Sequence, residues 1–248
     1  MDATPGPEPE AQATPVADAS GADGTDSGAP RSPQAVAEAI ELDVIARGWP
    51  VGSLYATQVE LEERYGVSRT VLREATGILV DHQVLEPRRG RGGGLVVTAP
   101  DQSRAVRSIA LLLSYQQLTV EELEDVRPPI ELLAVRLAAQ RVDDASADRI
   151  RAVVEAERRD PYGIGMRQEM PNMHVVLAEV SGNRALQLFA EIITSVSRQG
   201  ASAARRRQDG ERLVEEHAEI AGAVLAGDPE AAERLMAAHL QSLRELGF

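Results

Sequence analysis

Three of the four histidines lie in the second half of the chain, where imidazole nitrogens could bind a divalent metal ion: His174, His217 and His239. His217 lies ten residues before Gly227, and His239 lies ten residues after Pro229. A turn at Gly227–Pro229 would join two antiparallel helices and bring these two histidines level. The spacing alone leaves two interpretations equally open. Either the histidines converge on a metal ion, or each is an isolated polar group on a partly buried face.

A second group of side chains has the chemistry to contact DNA. Arg69 and Arg73 are four residues apart, so on a helix that starts after Ser68 they share one face. The hydroxyls of Ser68 and Thr70 can contact phosphate, and arginine can read guanine in the major groove. More arginine follows in a glycine-rich run that contains Arg88, Arg89, Arg91 and Gly92. Any one of these arginines could simply solvate a surface, but the ordered set favours DNA binding.

The elements that would position these arginines form a recognisable pattern. Apolar spacing and capping residues predict three helices, at about 36–47, 57–65 and 68–80. Two short β-prone runs follow, at 84–85 and 95–98, and the arginine- and glycine-rich run between them predicts a flexible hairpin tip. Three helices followed by a hairpin are typical of a winged helix-turn-helix.

Beyond Pro100 the pattern is almost wholly helical, without strand-like alternation. The predicted helices lie at about 103–115, 119–140, 145–159, 171–181, 183–199, 210–226 and 229–246. The run Arg205–Arg207 is interpreted as a solvated loop between two of them. The predicted fold is therefore mostly α: an N-terminal winged helix-turn-helix with a small β-hairpin wing, and a C-terminal all-α antiparallel bundle.

Composition sets the domain boundaries and excludes several classes of protein. Residues 1–35 are acidic and rich in Pro, Gly and Ala, which predicts a disordered tail. Residues 36–100 then form the predicted DNA-binding domain, and residues 101–248 form a second, all-helical domain. The chain has no Cys, which excludes thiolate chemistry, and its net charge of −13 argues against a simple polycationic DNA binder. No membrane span or signal peptide is predicted, so we expect a cytoplasmic protein without a membrane partner.

The N-terminal motifs resemble a known family. The segment 65–75, with the sequence YGVSRTVLREA, is similar to the signature of GntR-family bacterial transcription regulators, and the segment 90–97, GRGGGLVV, is similar to their wing. The resemblance implies that Arg69, Thr70 and Arg73 read DNA from the third helix and that the wing glycines lie near the minor groove. In one departure, Val59 stands where this family often has an arginine, which affects the operator sequence rather than the binding class.

The C-terminal half resembles the FCD effector domain of the FadR subfamily, which implies that the domain at residues 101–248 binds an effector and dimerises. The resemblance rests on the segment 118–131, on Met173-His174, on Ser181-Gly182-Asn183 and on the surroundings of His217 and His239. It implies that the three histidines bind a metal, Zn or Ni. It also implies that Arg127 and Asn183 face an effector cavity, although Arg127 could instead pair with Glu131 and Asn183 could cap a helix. Many such domains add an Asp four residues before the first histidine, but here that position is Met170.

Together these features predict a ligand-responsive transcription regulator rather than an enzyme. We expect a homodimer that binds a palindromic double-stranded operator and represses transcription until a small carboxylate binds. Three alternatives remain: a metal-dependent hydrolase built on the three histidines, a regulator whose effector is of the acyl-CoA type, and a scaffold whose helical half only dimerises. The hydrolase lacks a His-Glu-x-x-His helix and a carboxylate at the expected ligand position.

Overall fold

The computed structural model describes residues 32–90, 93–161, 172–200 and 203–246, and the chain divides into two compact units between Ala99 and Pro100. Several of the predicted features lie outside the described residues: the tail up to residue 31, Arg91, Gly92 and Met170. Across the described ranges, no helix is both long enough and apolar enough to span a membrane.

The first unit contains three helices and three strands. They are α1 (Pro33–Ala46), β1 (Leu54–Ala56), α2 (Gln58–Tyr65), α3 (Arg69–Asp81), β2 (Leu85–Arg88) and β3 (Gly94–Val97). The prediction of a tail over 1–35 is wrong at its end, because α1 begins at Pro33. The Ser32 side chain accepts the N–H of Ala35, and proline in the first turn has no N–H to leave unpaired.

The sheet of this unit is antiparallel, with the strand order β1-β3-β2. The strands β2 and β3 are the predicted hairpin, although Pro87 and Arg88 belong to the strand rather than to its tip. Leu85 and Val97 pair across the hairpin and pack with Leu72 and Leu79 of α3. This shared core fixes the wing against the helix that carries Arg69 and Arg73.

The second unit is helical throughout its described residues. Its helices are α4 (Gln102–Tyr115), α5 (Val120–Arg141), α6 (Asp144–Arg159), α7 (Met173–Val180), α8 (Arg184–Gly200), α9 (Ala203–Leu225) and α10 (Pro229–Leu246). The predicted mostly α fold is confirmed. The prediction of a loop at Arg205–Arg207 is wrong, because α9 begins at Ala203 and includes these residues. Ala and Arg are both strong helix formers, so the run continues the helix instead of interrupting it.

The central element of the second unit is α5, which packs against α7, α8, α9 and α10. Its inner face carries small side chains, Ala134, Ala138 and Ala139, which let neighbouring helices approach closely. The helix also contains Pro128 and Pro129 in its interior. Proline has no N–H, so the carbonyls four residues earlier, of Glu124 and Asp125, lack their usual helical donors.

Candidate functional site

The helix α3, which carries the predicted DNA-reading arginines, is positioned by residues on both sides of its start. Gly66 ends α2 with a positive φ of 61°, a conformation that glycine adopts without steric cost. The Ser68 hydroxyl then accepts the Val71 N–H at 3.4 Å and caps α3. The chain therefore turns within three residues, and Arg69 and Thr70 stand exposed in the first turn of the new helix.

A groove of about 620 Å³ runs between α3 and the wing. Its lining includes Arg69, Thr70 and Arg73 from α3, and Arg88, Gly90 and Gly93 from the wing. Arg89 is exposed at the end of the hairpin, and Val59 is exposed on α2. The groove thus has cationic side chains on both walls and backbone glycines at one edge, an arrangement that suits a phosphate backbone.

The three histidines of the second unit come together at one point. The Nε2 atoms of His217 and His239 are 3.1 Å apart, and those of His239 and His174 are 3.4 Å apart. His174 comes from α7, His217 from α9 and His239 from α10. His174 and His239 are buried, whereas the side chain of His217 keeps 13% of its exposure.

Each histidine also contacts a carboxylate through its other ring nitrogen. The Nδ1 of His174 contacts Glu131, the Nδ1 of His217 lies 2.7 Å from Glu157, and the Nδ1 of His239 lies 2.7 Å from Glu216. An ionised carboxylate only accepts hydrogen bonds, so each Nδ1 carries the proton. Each Nε2 therefore presents its lone pair to the centre of the cluster.

Electrostatics favour the neutral imidazole at His174 and His239 and the charged carboxylate at Glu131 and Glu157. Burial lowers the pKa of His174 and of His239, because a buried site disfavours the imidazolium. Burial opposes ionisation of Glu131 as well, but His174 and Arg127 outweigh it and lower its pKa to about 2. Burial also opposes ionisation of Glu157, but the contact with His217 outweighs it and holds the pKa of Glu157 below its usual range.

These features match the requirements of a divalent metal ion. Three lone pairs that face one another repel unless a cation lies between them. A metal–nitrogen bond of about 2.0–2.1 Å in tetrahedral geometry places ligand nitrogens about 3.3 Å apart, close to the two distances found here. Histidine ligands usually donate their second N–H to a carboxylate, which fixes the ring. His174, His217 and His239 could therefore hold the ion, with Glu131, Glu157 and Glu216 orienting them.

Arg127 already has carboxylate partners within the protein. It is buried, its Nε donates to Glu131 at 2.6 Å, and its Nη1 lies 3.6 Å from Glu124. The pair with Glu131 was the alternative considered from the sequence, but it is buried rather than at the surface. Glu131 thereby supplies the carboxylate that an effector was expected to bring.

Asn183 lies at the start of α8. Its side-chain oxygen accepts the N–H groups of Ala185 at 3.0 Å and of Leu186 at 3.3 Å, so it caps this helix. This is the other role that the sequence allowed for Asn183. The two residues assigned to the effector therefore both have structural partners, and a contact with an effector stays a prediction for each.

Two residues of the site, Glu157 and Glu216, were not predicted from the sequence. A signal for Glu216 was available, because the turn at Gly227–Pro229 that brings His217 level with His239 also brings the preceding residue, Glu216, close to His239. Glu157 reaches His217 from a helix 60 residues away, and only the packing of α6 against α9 brings them together. The general need of a metal-bound histidine for a carboxylate partner was the physical reason to search for both.

We expect the metal-free protein to lose thermal stability as the pH falls from about 7.5 to about 5.5. The folded pKa values of His174 and His239 are lowered from 6.5, so below that pH the unfolded chain binds more protons and is favoured. Thermal unfolding in the presence of a chelator measures the slope. His82→Ala is the control and should keep it, because His82 is exposed in the other unit. A constant melting temperature would contradict buried neutral imidazoles.

Two family models match the chain, one in each unit. Residues 33–94 match bacterial regulatory proteins of the gntR family, and residues 122–242 match the FCD domain. The first range contains the groove between α3 and the wing. The second contains all three histidines and their three carboxylates.

Similar proteins agree with these matches. The chain is 30% identical over 206 residues to the HTH-type transcriptional regulator Rv0494 of Mycobacterium tuberculosis, covering 81% of this chain and 83% of that one. It is 26% identical over 213 residues to the putative L-lactate dehydrogenase operon regulatory protein of Escherichia coli, covering 83% and 82%. A solved structure, Streptococcus agalactiae GntR, has the same fold, with a TM-score of 0.62 at 24% identity over 86% of this chain and 99% of the other.

These relatives are transcription regulators and not enzymes, so the three histidines do not indicate a hydrolase. The winged unit binds DNA, and the helical unit is the FCD domain that accompanies it. On the sequence identity and the two domain matches together, the chain belongs to the GntR family of bacterial regulatory proteins.

Proposed function

We propose that this protein is a metal-containing, ligand-responsive repressor of the FadR subfamily that acts in the cytoplasm. In this proposal a homodimer binds a palindromic operator and releases it when a small carboxylate binds at the metal ion. The observation that carries the proposal is the cluster of three Nε2 atoms within the FCD domain, each backed by a carboxylate at Nδ1.

The metal ion would give the effector its binding site. Three histidines leave at least one coordination position open on Zn²⁺ or Ni²⁺, and a carboxylate oxygen can fill it. The name of the Escherichia coli relative points to an operon for L-lactate dehydrogenase, and L-lactate is a small hydroxycarboxylate. A carboxylate effector would then bind at the histidine cluster rather than at Arg127, because Arg127 already pairs with Glu131.

DNA reading is assigned to both edges of the groove in the winged unit. The proposed contacts are Ser68, Arg69, Thr70, Arg73, Arg89, Arg91 and Gly92. A single unit of this size reads few base pairs, and a two-fold dimer doubles the contacts on a palindrome. The exposed apolar side chains of α4 support a dimer, since Leu111, Leu112 and Tyr115 are each more than half exposed.

The test measures operator affinity by fluorescence anisotropy, with metal-loaded protein and DNA from upstream of its own gene. L-lactate should weaken binding by about 5–150-fold, the usual range of coupling between two ligand sites. The same carboxylate should have no effect after chelation of the metal. An acyl-CoA that weakens binding in place of all small carboxylates would support the other effector class. Tighter binding with L-lactate would contradict repression.

Glu157→Gln should lower metal affinity by about 10–100-fold, because a neutral amide supports the basicity of His217 less well than a carboxylate. Competition with a chromophoric chelator measures the affinity. Glu155→Gln, an exposed change on the same helix, is the matched control and should have no effect. Equal affinities for the two variants would remove Glu157 from the site.

A further inference from the structure

A second cavity lies between α5 and α10, separate from the histidine cluster. Its volume is about 520 Å³. Pro128, Leu132 and Leu240 form an apolar wall, and Glu124, Gln241 and Arg244 contribute polar groups. The cavity is large enough for a small molecule and is built on two helices that pack extensively against each other.

The unusual residue in the lining of this cavity is Glu124. The residue is only 4% exposed, and its Oε1 has no hydrogen-bond donor. The nearest cation, Arg127, stays at 3.6 Å because its Nε is bonded to Glu131. Burial raises the pKa of Glu124, as expected for a carboxylate with too few donors. A buried acceptor without a donor is costly and calls for a partner that the protein itself does not supply.

The backbone carbonyl of Glu124 lacks its usual helical donor. Pro128 lines the cavity, and its nitrogen cannot donate to the carbonyl of Glu124. A primary ammonium group has three N–H donors and a positive charge, which matches a buried carboxylate with too few donors better than a hydroxyl does.

We propose that this cavity binds a small primary amine with an aliphatic body. The ammonium group donates to Glu124, and the hydrocarbon chain lies against Leu132 and Leu240. Among the acidic and basic residues that line the cavity, Glu124 and Glu245 outnumber Arg244, so the charge balance also favours a cation. The site does not need a metal ion, because an amine held as ammonium has no lone pair to coordinate one.

The occupant would lie at one end of a chain of ion pairs. Glu124 contacts Arg127, Arg127 binds Glu131, and Glu131 contacts His174. The cavity is thus connected to the histidine cluster through side chains that are all buried. A ligand in this cavity would therefore bind at a site different from the histidine cluster, where the carboxylate effector is proposed to bind.

The test uses the full-length protein with n-hexylamine, 1-hexanol and hexanoate as probes of equal chain length, in the presence of a chelator. Methyl NMR signals of Leu132 and Leu240 should shift saturably with n-hexylamine, more weakly with 1-hexanol and not with hexanoate. Glu124→Gln should weaken n-hexylamine binding by about tenfold or more, since a charge-assisted hydrogen bond is lost. Glu121→Gln, an exposed change on the same helix, should leave it unchanged.

Two results would overturn the proposal. One is a failed comparison of the probes on the wild-type protein: hexanoate shifts the methyl signals at least as strongly as n-hexylamine, or n-hexylamine causes no saturable shift. The other is equal affinity of n-hexylamine for wild type and Glu124→Gln. The wild-type comparison of the three probes stands even if the Glu124 variant folds poorly, and the chelator keeps the outcome independent of the proposed metal.

Discussion

Replacing His217 with alanine is expected to lower the affinity for Zn²⁺ or Ni²⁺ by more than about 100-fold. Loss of an outer carboxylate partner costs about 10–100-fold, and loss of a direct ligand costs more. Of the three histidines, His217 is the best choice for this test, because its side chain retains 13% exposure while the other two are buried more deeply. Its removal therefore disturbs the core least. Competition with a chromophoric chelator and elemental analysis measure the loss.

The matched control is His82→Ala. His82 is the one histidine of the chain outside the cluster. It is exposed and lies in the other unit, so its loss should leave metal content unchanged. Thermal unfolding of both variants under chelation separates lost metal from lost folding. If His217→Ala retained metal with wild-type affinity, the three imidazoles would not be the binding site.

Arg69→Ala and Arg73→Ala should each weaken operator binding by about 1–3 kcal/mol, or about 5–150-fold, if each side chain reads a base. Both arginines are exposed on α3 and line the groove between that helix and the wing. Neither contributes to the core of the winged unit, so the variants should keep the stability of the wild type. Fluorescence anisotropy on operator DNA and on unrelated DNA measures both affinity and specificity.

Two controls distinguish base reading from general attraction. Arg107→Ala removes one exposed positive charge from α4 and should change operator affinity little. Arg69→Lys keeps the charge but loses the planar fork that binds guanine with two hydrogen bonds, so it should behave like alanine on the operator. Wild-type operator affinity in both alanine variants would refute the assignment of α3 as the reading helix.

Local signals were enough to predict most of the winged unit. Thr57 and Ser68 cap α2 and α3 as their sequence positions indicate, and Gly66 adopts the left-handed turn between them. The strand β1 was missed because three residues are too few to show an alternating pattern. It exists only because β3 offers a free edge for pairing, which is a tertiary contact.

In the helical unit, local sequence signals predicted one part of the site but not another. The equal spacing of His217 and His239 about the Gly227–Pro229 turn indicated that they could meet, and they do meet. The burial of Arg127 could not be derived in this way. An arginine and a glutamate four residues apart form the same pair on any helix, and only the packing around α5 turns this one into a buried ion pair.

The six side chains around the histidine cluster come from five helices, namely α5, α6, α7, α9 and α10. A bound ion would therefore stabilise the assembled unit as a whole, by about 2.7 kcal/mol at a free concentration 100 times its dissociation constant. Local opening of α7, α9 or α10 would have to release the ion first, because these helices carry the histidine ligands. Under metal starvation, the protein should become a better protease substrate and its cellular abundance should fall, so metal supply would control how much of the regulator is present.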